Sequence, residues 1–133
     1  MMKLFGYVFV GAGIGGVARY AMATFVDDRF SPTFPLATFL INVVGSFVLG
    51  VIMRLALHGD AVSVEMRALL ATGFCGGYTT FSTFSYETAR MLETRDYRRA
   101  ASYVGSSVVL AVAATFVGFV VADQLLALSA RTR

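Results

Sequence analysis

The chain has 133 residues, of which 57% are hydrophobic and 14% charged, with a formal net charge of +3 and a mean hydropathy of +0.72. A soluble fold of this length could not bury so much apolar surface, so the composition predicts a membrane protein. The modest charge, without a basic run or interleaved aromatic and basic residues, argues against a nucleic-acid partner.

Four stretches with little or no charge are long enough to cross a bilayer, which takes roughly 20 helical residues at 1.5 Å rise per residue. We therefore predict an all-α membrane protein with four transmembrane helices in one domain over residues 1–133. The spans are expected at about residues 4–26, 33–57, 66–92 and 99–125.

The first predicted span carries the glycine-rich motif Gly11-Ala-Gly-Ile-Gly-Gly16. Glycines at these spacings allow a second helix to approach closely. The letters also match a dinucleotide-binding fingerprint, but no strand precedes them, so that interpretation fails on context. A signal peptide is disfavoured because Arg19-Tyr20 interrupts the approach to the small-residue triplet Ala21-Met-Ala23.

Thr38, Asn42 and Ser46 lie on one face of the second predicted span, at positions i, i+4 and i+8. Their hydroxyl and amide groups can donate hydrogen bonds to an anion, and they can equally bridge helices. For Asn42 both interpretations stay open.

The third predicted span contains the run Gly76-Gly-Tyr-Thr-Thr80. Glycines weaken a helix and hydroxyls compete for its carbonyls, so we expect the helix to break here. Irregular backbone at membrane depth occurs only within protein or beside a watery path, where freed carbonyls can bind ions.

Phe81 and Phe84, just after the expected break, share one helical face. Two phenylalanines at this spacing usually pack together, but the positive edges of their rings can also contact an anion. In the fourth span, Tyr103 and Ser107 form a further polar face.

No charged residue lies in Ala68–Tyr86 or Ala100–Ala122, so a proton relay through these spans lacks carriers. The chain also has no Ser–His–Asp arrangement, phosphate loop or metal cluster in its sequence, and we expect no enzymatic activity.

With four spans, the positive charges are balanced between the two sides of the membrane. One side would carry Lys3, Arg54, Arg67, Arg131 and Arg133, and the other Arg29, Arg90, Arg95, Arg98 and Arg99. Orientation follows Lys and Arg in short loops, so this balance favours insertion in both orientations. Two opposed copies would then form an antiparallel homodimer.

Three segments resemble the Fluc family of fluoride channels, also called CrcB. They are Gly15-Gly-Val-Ala-Arg19-Tyr20, Pro35-Leu-Ala-Thr-Phe-Leu-Ile-Asn-Val-Val-Gly-Ser-Phe-Val-Leu-Gly50, and Gly73-Phe-Cys-Gly-Gly-Tyr-Thr-Thr-Phe-Ser-Thr-Phe-Ser85 with Glu87. The last segment is the most specific, because such a run is unusual for a membrane span.

The resemblance implies a dual-topology, antiparallel homodimer with two pores that exports fluoride passively across the inner or plasma membrane of a prokaryote. It also implies one structural Na⁺ at the dimer interface, held by the carbonyls of Gly76 and Thr79. The implied fluoride pathway comprises Phe81, Phe84, Asn42, Thr38, Tyr103 and Ser107, and the implied vestibule or supporting residues are Arg19, Glu87, Gly77 and Thr80.

Two other functions are open to such a chain. A small multidrug-resistance-type, proton-coupled exporter would need a titratable carboxylate within a span, whereas the first span has none and Glu87 is expected at the end of the third. A non-transporting membrane scaffold would account for Gly11–Gly16 but not for the polar run Gly76–Thr80.

Overall fold

The computed structural model describes residues 2–30, 33–58 and 62–131, which form helices and connections without a strand among them. The predicted all-α class is therefore confirmed over these residues. The helices are α1 (Met2–Phe30), α2 (Leu36–Leu57), α3 (residues 64–78), α4 (Phe81–Glu93) and α5 (Tyr97–Arg131). Arg133, counted above among the balanced charges, lies outside the described residues.

Three helices, α1, α2 and α5, are long and apolar enough to cross a membrane. The third predicted span is divided between α3 and α4. Within α3, Ala68–Cys75 is wound as a wide π-helix between α-helical turns at Val64–Arg67 and Gly76–Tyr78. The irregular winding therefore begins before the polar run.

The predicted break is present, but the threonines form it rather than the glycines. Gly76 is still helical, with φ −64° and ψ −37°. Thr79 and Thr80 are extended, with ψ values of 157° and 109°. Thr80 is the N-cap of α4, since its hydroxyl accepts a hydrogen bond from the Thr83 amide at 3.2 Å, and this cap starts a new helix.

Glycines set the distance between α1 and α3. Gly11 and Gly15 are buried against the backbone of residues 69–78, and a Cβ at Gly77 would lie 2.5 Å from the Ala12 carbonyl oxygen. The prediction of close packing is confirmed for Gly11 and Gly15, whereas Gly13 faces open space.

The helices α2 and α5 run parallel and pack just as closely. A Cβ at Gly50 would lie 2.5 Å from the Thr115 carbonyl oxygen, and one at Gly118 would lie 2.5 Å from that of Phe47. At the far end of this pair, the Arg54 guanidinium forms a two-pronged ion pair with Asp123, at 2.8 and 3.0 Å.

Candidate functional site

The helix break is held in place by Asn42 of α2. The Asn42 side-chain amide donates to the Thr80 carbonyl at 3.1 Å, and the Thr80 backbone amide donates to Asn42 Oδ1 at 2.8 Å. This reciprocal pair satisfies backbone groups that the broken helix leaves open. Of the two interpretations for Asn42, the structure places it in the helix-bridging position, with one amide hydrogen still available for a second acceptor.

The same contacts release backbone carbonyls at the break. In a continuous helix, the Thr80 amide would bond to the Gly76 carbonyl and the Thr83 amide to the Thr79 carbonyl. Here these amides donate instead to Asn42 Oδ1 and to the Thr80 hydroxyl. The Arg19 guanidinium lies 3.5 Å from the Thr79 carbonyl oxygen, on the α1 side of the break. Oxygens freed in this way can bind a cation.

A second polar group joins α2, α4 and α5 around the carboxylate of Glu87. Thr38 donates its hydroxyl to Glu87 Oε1 at 2.9 Å, and Tyr103 donates its hydroxyl to Glu87 Oε2 at 2.6 Å. Thr38 is buried and Tyr103 is 0% exposed. The sequence had placed Glu87 at the end of the third span, whereas its carboxylate reaches into the bundle and orders two predicted pathway residues.

Ser107 lies one helical turn beyond Tyr103 and is buried at 8% exposure. Its Oγ is buried without a hydrogen-bond partner among the described residues. A buried hydroxyl without a partner is unfavourable by about 1–3 kcal/mol, so such a group usually meets a ligand or water.

Aromatic rings pack against the Tyr103 ring. The Phe84 ring lies 5.1 Å from the Tyr103 ring, and the Phe34 ring meets Tyr103 edge-on at 5.3 Å. Phe81 is 5.6 Å from Phe84, yet 78% of it is exposed on the outer face of α4. The two phenylalanines therefore adjoin each other while facing different surroundings.

An open groove of about 490 Å³ leads from the surface toward the break. Its walls are Gly16, Arg19, Tyr20, Ala23, Thr38, Ile41, Thr80 and Thr83. One cation, Arg19, thus shares a groove with several hydroxyls, an arrangement that attracts anions without a second fixed charge.

The structure brings together most of the residues predicted for the site. Thr38, Tyr103 and Phe84 surround Glu87 or its partners, and Asn42 with Thr80 forms the adjacent break. Gly77 instead packs against α1. Over the described ranges, no group of three or more His, Cys, Asp or Glu side chains could hold a metal ion.

The sequence did not predict which polar groups form hydrogen bonds with each other. Asn42 pairs with Thr80, and Glu87 accepts from Thr38 and Tyr103. Phe34, which packs on Tyr103, was not among the predicted site residues. Its only signal was an aromatic residue at the start of the second predicted span. The Glu87 contacts had no signal at all, because Thr38, Glu87 and Tyr103 are far apart in the chain.

These features define a multi-pass α-helical membrane protein with a polar break inside its helical bundle. Residues 6–119 match the family described as "CrcB-like protein, Camphor Resistance (CrcB)", and the chain belongs to this family. The resemblance drawn from the sequence is thereby confirmed.

Proteins called "Fluoride-specific ion channel FluC" are among the relatives of this chain. The one from Gloeothece citriformis (strain PCC 7424) is 41% identical over 84% of this chain and 89% of its own length. That from Geotalea uraniireducens (strain Rf4) is 41% identical over 90% and 96%. That from Caulobacter vibrioides (strain NA1000 / CB15N) is 42% identical over 90% and 95%.

Proposed function

We propose that this chain is a fluoride-selective channel through which F⁻ leaves a prokaryotic cell passively across the inner membrane, relieving fluoride toxicity. The names of its relatives support this function. Within the chain, the observation that carries the proposal is the buried Ser107 hydroxyl, which has no partner in the described part of the bundle and lies one turn from Tyr103.

Neutral donors suit fluoride because the ion is small and strongly hydrated. A pore must replace its water with close donors, yet must bind weakly enough to release it. The Ser107 hydroxyl and the remaining amide hydrogen of Asn42 meet that need. Thr38 and Tyr103 line the same path, with their hydroxyl hydrogens donated to Glu87. The ring edges of Phe81 and Phe84 add weak positive potential without a fixed charge. A narrow row of such groups excludes chloride by size.

The working unit is an antiparallel, dual-topology homodimer with two pores. Support comes from α4, where Phe81 is exposed together with the polar residues Ser82 and Ser85 on the same side of the helix. A face of this kind is unfavourable against lipid, and a second copy of the chain would cover it. The balanced arginines and lysines would allow both orientations to be made from one sequence.

One structural Na⁺ at the dimer interface completes the proposal. The Gly76 and Thr79 carbonyls suit it because the amides that would normally occupy them donate elsewhere. The Thr79 oxygen is also approached by the Arg19 guanidinium at 3.5 Å, and its second lone pair is available to the ion. A monovalent ion fits oxygens that bring no carboxylate to balance a double charge. When bound, the ion supplies a fixed positive charge. Gly77 lets α3 pack against α1 and Thr80 caps α4, and both contacts support the segment that presents these carbonyls.

The function is tested by fluoride efflux from proteoliposomes, measured with a fluoride electrode. Passive efflux of an anion builds up a membrane potential, so fluoride should leave only when valinomycin lets K⁺ follow. Ser107→Ala should slow efflux about ten-fold, which corresponds to the loss of one hydrogen bond to a charged group. Ser106→Ala is the matched control, because Ser106 donates to the Tyr103 carbonyl instead.

Absence of valinomycin-dependent fluoride efflux in the wild-type protein would refute the channel. Export of a cationic drug driven by a proton gradient, and abolished by Glu87→Gln, would instead establish the multidrug-type exporter. Equal rates for Ser107→Ala and Ser106→Ala would remove Ser107 from the pathway while leaving the channel itself intact.

A further inference from the structure

Four arginines lie at the end of α4, in the connection that follows and at the start of α5. They are Arg90, Arg95, Arg98 and Arg99, and we call this segment the arginine turn. All four are exposed. Only two carboxylates, Glu93 and Asp96, lie among them. Within the described ranges, the single ion pair of this cluster joins Arg99 to Asp96 at 3.3 Å, leaving a net positive patch at one end of the bundle.

Three of these arginines occupy positions that local physical chemistry disfavours. Arg95 has φ 61°, in the left-handed region that favours glycine. Arg95 ends α4 in a Schellman motif. The Arg95 backbone amide donates to the Leu92 carbonyl, and the Asp96 backbone amide donates to the Met91 carbonyl. Arg98 and Arg99 stand in the first turn of α5, where the helix dipole disfavours cations. A glycine at position 95 and acidic residues at positions 98 and 99 would suit the local backbone better.

The arginine turn lies where a bilayer headgroup region would be. It is at the start of α5, which is long and apolar enough to cross a membrane, and at the end of α4, the second half of the third predicted span. Tyr86 and Tyr97 are 65% and 61% exposed beside it, as aromatic residues at a membrane interface often are. A cleft of about 250 Å³ opens next to the turn. Its walls are Thr33, Pro35, Tyr86, Glu87, Arg90, Met91, Thr94 and Arg99.

This cleft has a cationic rim and a partly apolar wall. Arg90 and Arg99 form the rim, and Pro35 and Met91 contribute apolar wall. The Glu87 carboxylate is engaged by Thr38 and Tyr103, so its oxygens already have donors. A phosphodiester joined to a glycerol and acyl chain matches both parts, whereas free phosphate has nothing to place against the apolar wall.

We propose that the arginine turn binds the headgroup of an anionic phospholipid of the phosphatidylglycerol type. Such a headgroup brings a phosphate without an amine to neutralise it, so several arginines can share its charge. Zwitterionic lipids carry their own cation and gain less. This site does not depend on the proposed fluoride channel, only on the membrane placement of the helices.

The test uses the absence of tryptophan from the chain. Tyr97→Trp places a single fluorophore in the arginine turn, and the protein is reconstituted into phosphatidylcholine vesicles with a minority of phosphatidylglycerol. In one preparation the phosphatidylcholine is brominated and in the other the phosphatidylglycerol, and the quenching of tryptophan fluorescence is measured in both. We expect brominated phosphatidylglycerol to quench Tyr97→Trp well beyond its mole fraction. Leu57→Trp, 69% exposed at the other end of the bundle, is the control and should follow the mole fraction.

Replacing Arg95, Arg98 and Arg99 by Gln in the Tyr97→Trp protein should return quenching to the mole fraction. Each arginine is expected to contribute up to about five-fold in affinity. Because the triple change could impair assembly, Arg95→Gly is measured beside it. That variant relieves the left-handed strain, so it should raise the thermal midpoint while lowering the phosphatidylglycerol preference.

The lipid site would be overturned if brominated phosphatidylglycerol quenched Tyr97→Trp only in proportion to its mole fraction. It would also be overturned if the triple substitution left the preference for phosphatidylglycerol unchanged. A role in membrane orientation alone predicts that result. Loss of the preference on adding inorganic phosphate, with chloride at equal ionic strength having no effect, would instead identify a free-phosphate site and also reject the lipid.

Discussion

At the residue scale, the polar side chains of the site differ in whether they have a hydrogen-bond partner. Asn42 and Thr80 exchange two hydrogen bonds, and Glu87 accepts from both Thr38 and Tyr103. Ser107 is the exception, with no partner for its hydroxyl in the described bundle. The satisfied groups fix the geometry, and the Ser107 hydroxyl is the one through which we propose that fluoride is bound.

The phenylalanine rings can be tested individually. Phe81→Ile and Phe84→Ile keep apolar bulk but remove the positive ring edge, so each should reduce fluoride efflux about ten-fold. Phe81 is largely exposed in one chain, so its change should leave the folded monomer intact. Phe116→Ile is the control, because Phe116 is 61% exposed on α5 and its ring pairs with Phe119. Normal efflux in both site variants would mean that the rings only pack.

At the element scale, the broken third span combines two different uses of small residues. Gly77 lets α3 lie against α1, and the threonines behind it end one helix and begin the next. The sequence predicts a break from the glycines and the hydroxyls together, and the structure places it at the threonines. The helix continues through the glycines, and the close contact of Gly77 with α1 stabilises this turn.

Packing rather than backbone shape should therefore govern changes at Gly77. A Cβ there would lie 2.5 Å from the Ala12 carbonyl oxygen, whereas one at Gly13 meets nothing within 4 Å. Gly77→Ala should destabilise the protein by about 1–3 kcal/mol. Gly13→Ala should be neutral or slightly stabilising. The check is the thermal midpoint of each purified variant in detergent, and equal midpoints would contradict the close α1–α3 contact.

The proposed sodium site also belongs to this element. Replacing sodium by a large organic cation should lower the thermal midpoint and the fluoride efflux of the wild-type protein. Thr79→Ser should keep the same sodium dependence, because the expected ligand is the backbone carbonyl and not the side chain. If neither the thermal midpoint nor the fluoride efflux changed with the cation, the proposed sodium site at the released carbonyls would be wrong.

At the scale of the whole molecule, the positive charges bear on orientation. Reporters fused after Arg133 should be found on both sides of the membrane if the chain inserts in both orientations. Changing Arg95, Arg98 and Arg99 together to Gln should bias insertion toward the orientation with both termini inside. A single location for the wild-type reporter would rule out the antiparallel homodimer.

The sequence by itself determined that the protein is an all-α membrane protein. Long apolar stretches predict spans wherever they occur, because a membrane helix closes its own hydrogen bonds. The polar run Gly76–Thr80 and the rows formed by Thr38 with Asn42 and by Tyr103 with Ser107 could be identified in the same way. Periodicity within one helix is a local property.

The tertiary structure alone decided which polar groups meet. Thr38, Glu87 and Tyr103 belong to three helices, and only their packing brings two hydroxyls onto one carboxylate. The same packing sets Asn42 against Thr80 and leaves Ser107 Oγ without a donor or acceptor in the described bundle. Hydrogen bonding depends on distances of about 3 Å between helices, which no spacing along one chain segment specifies.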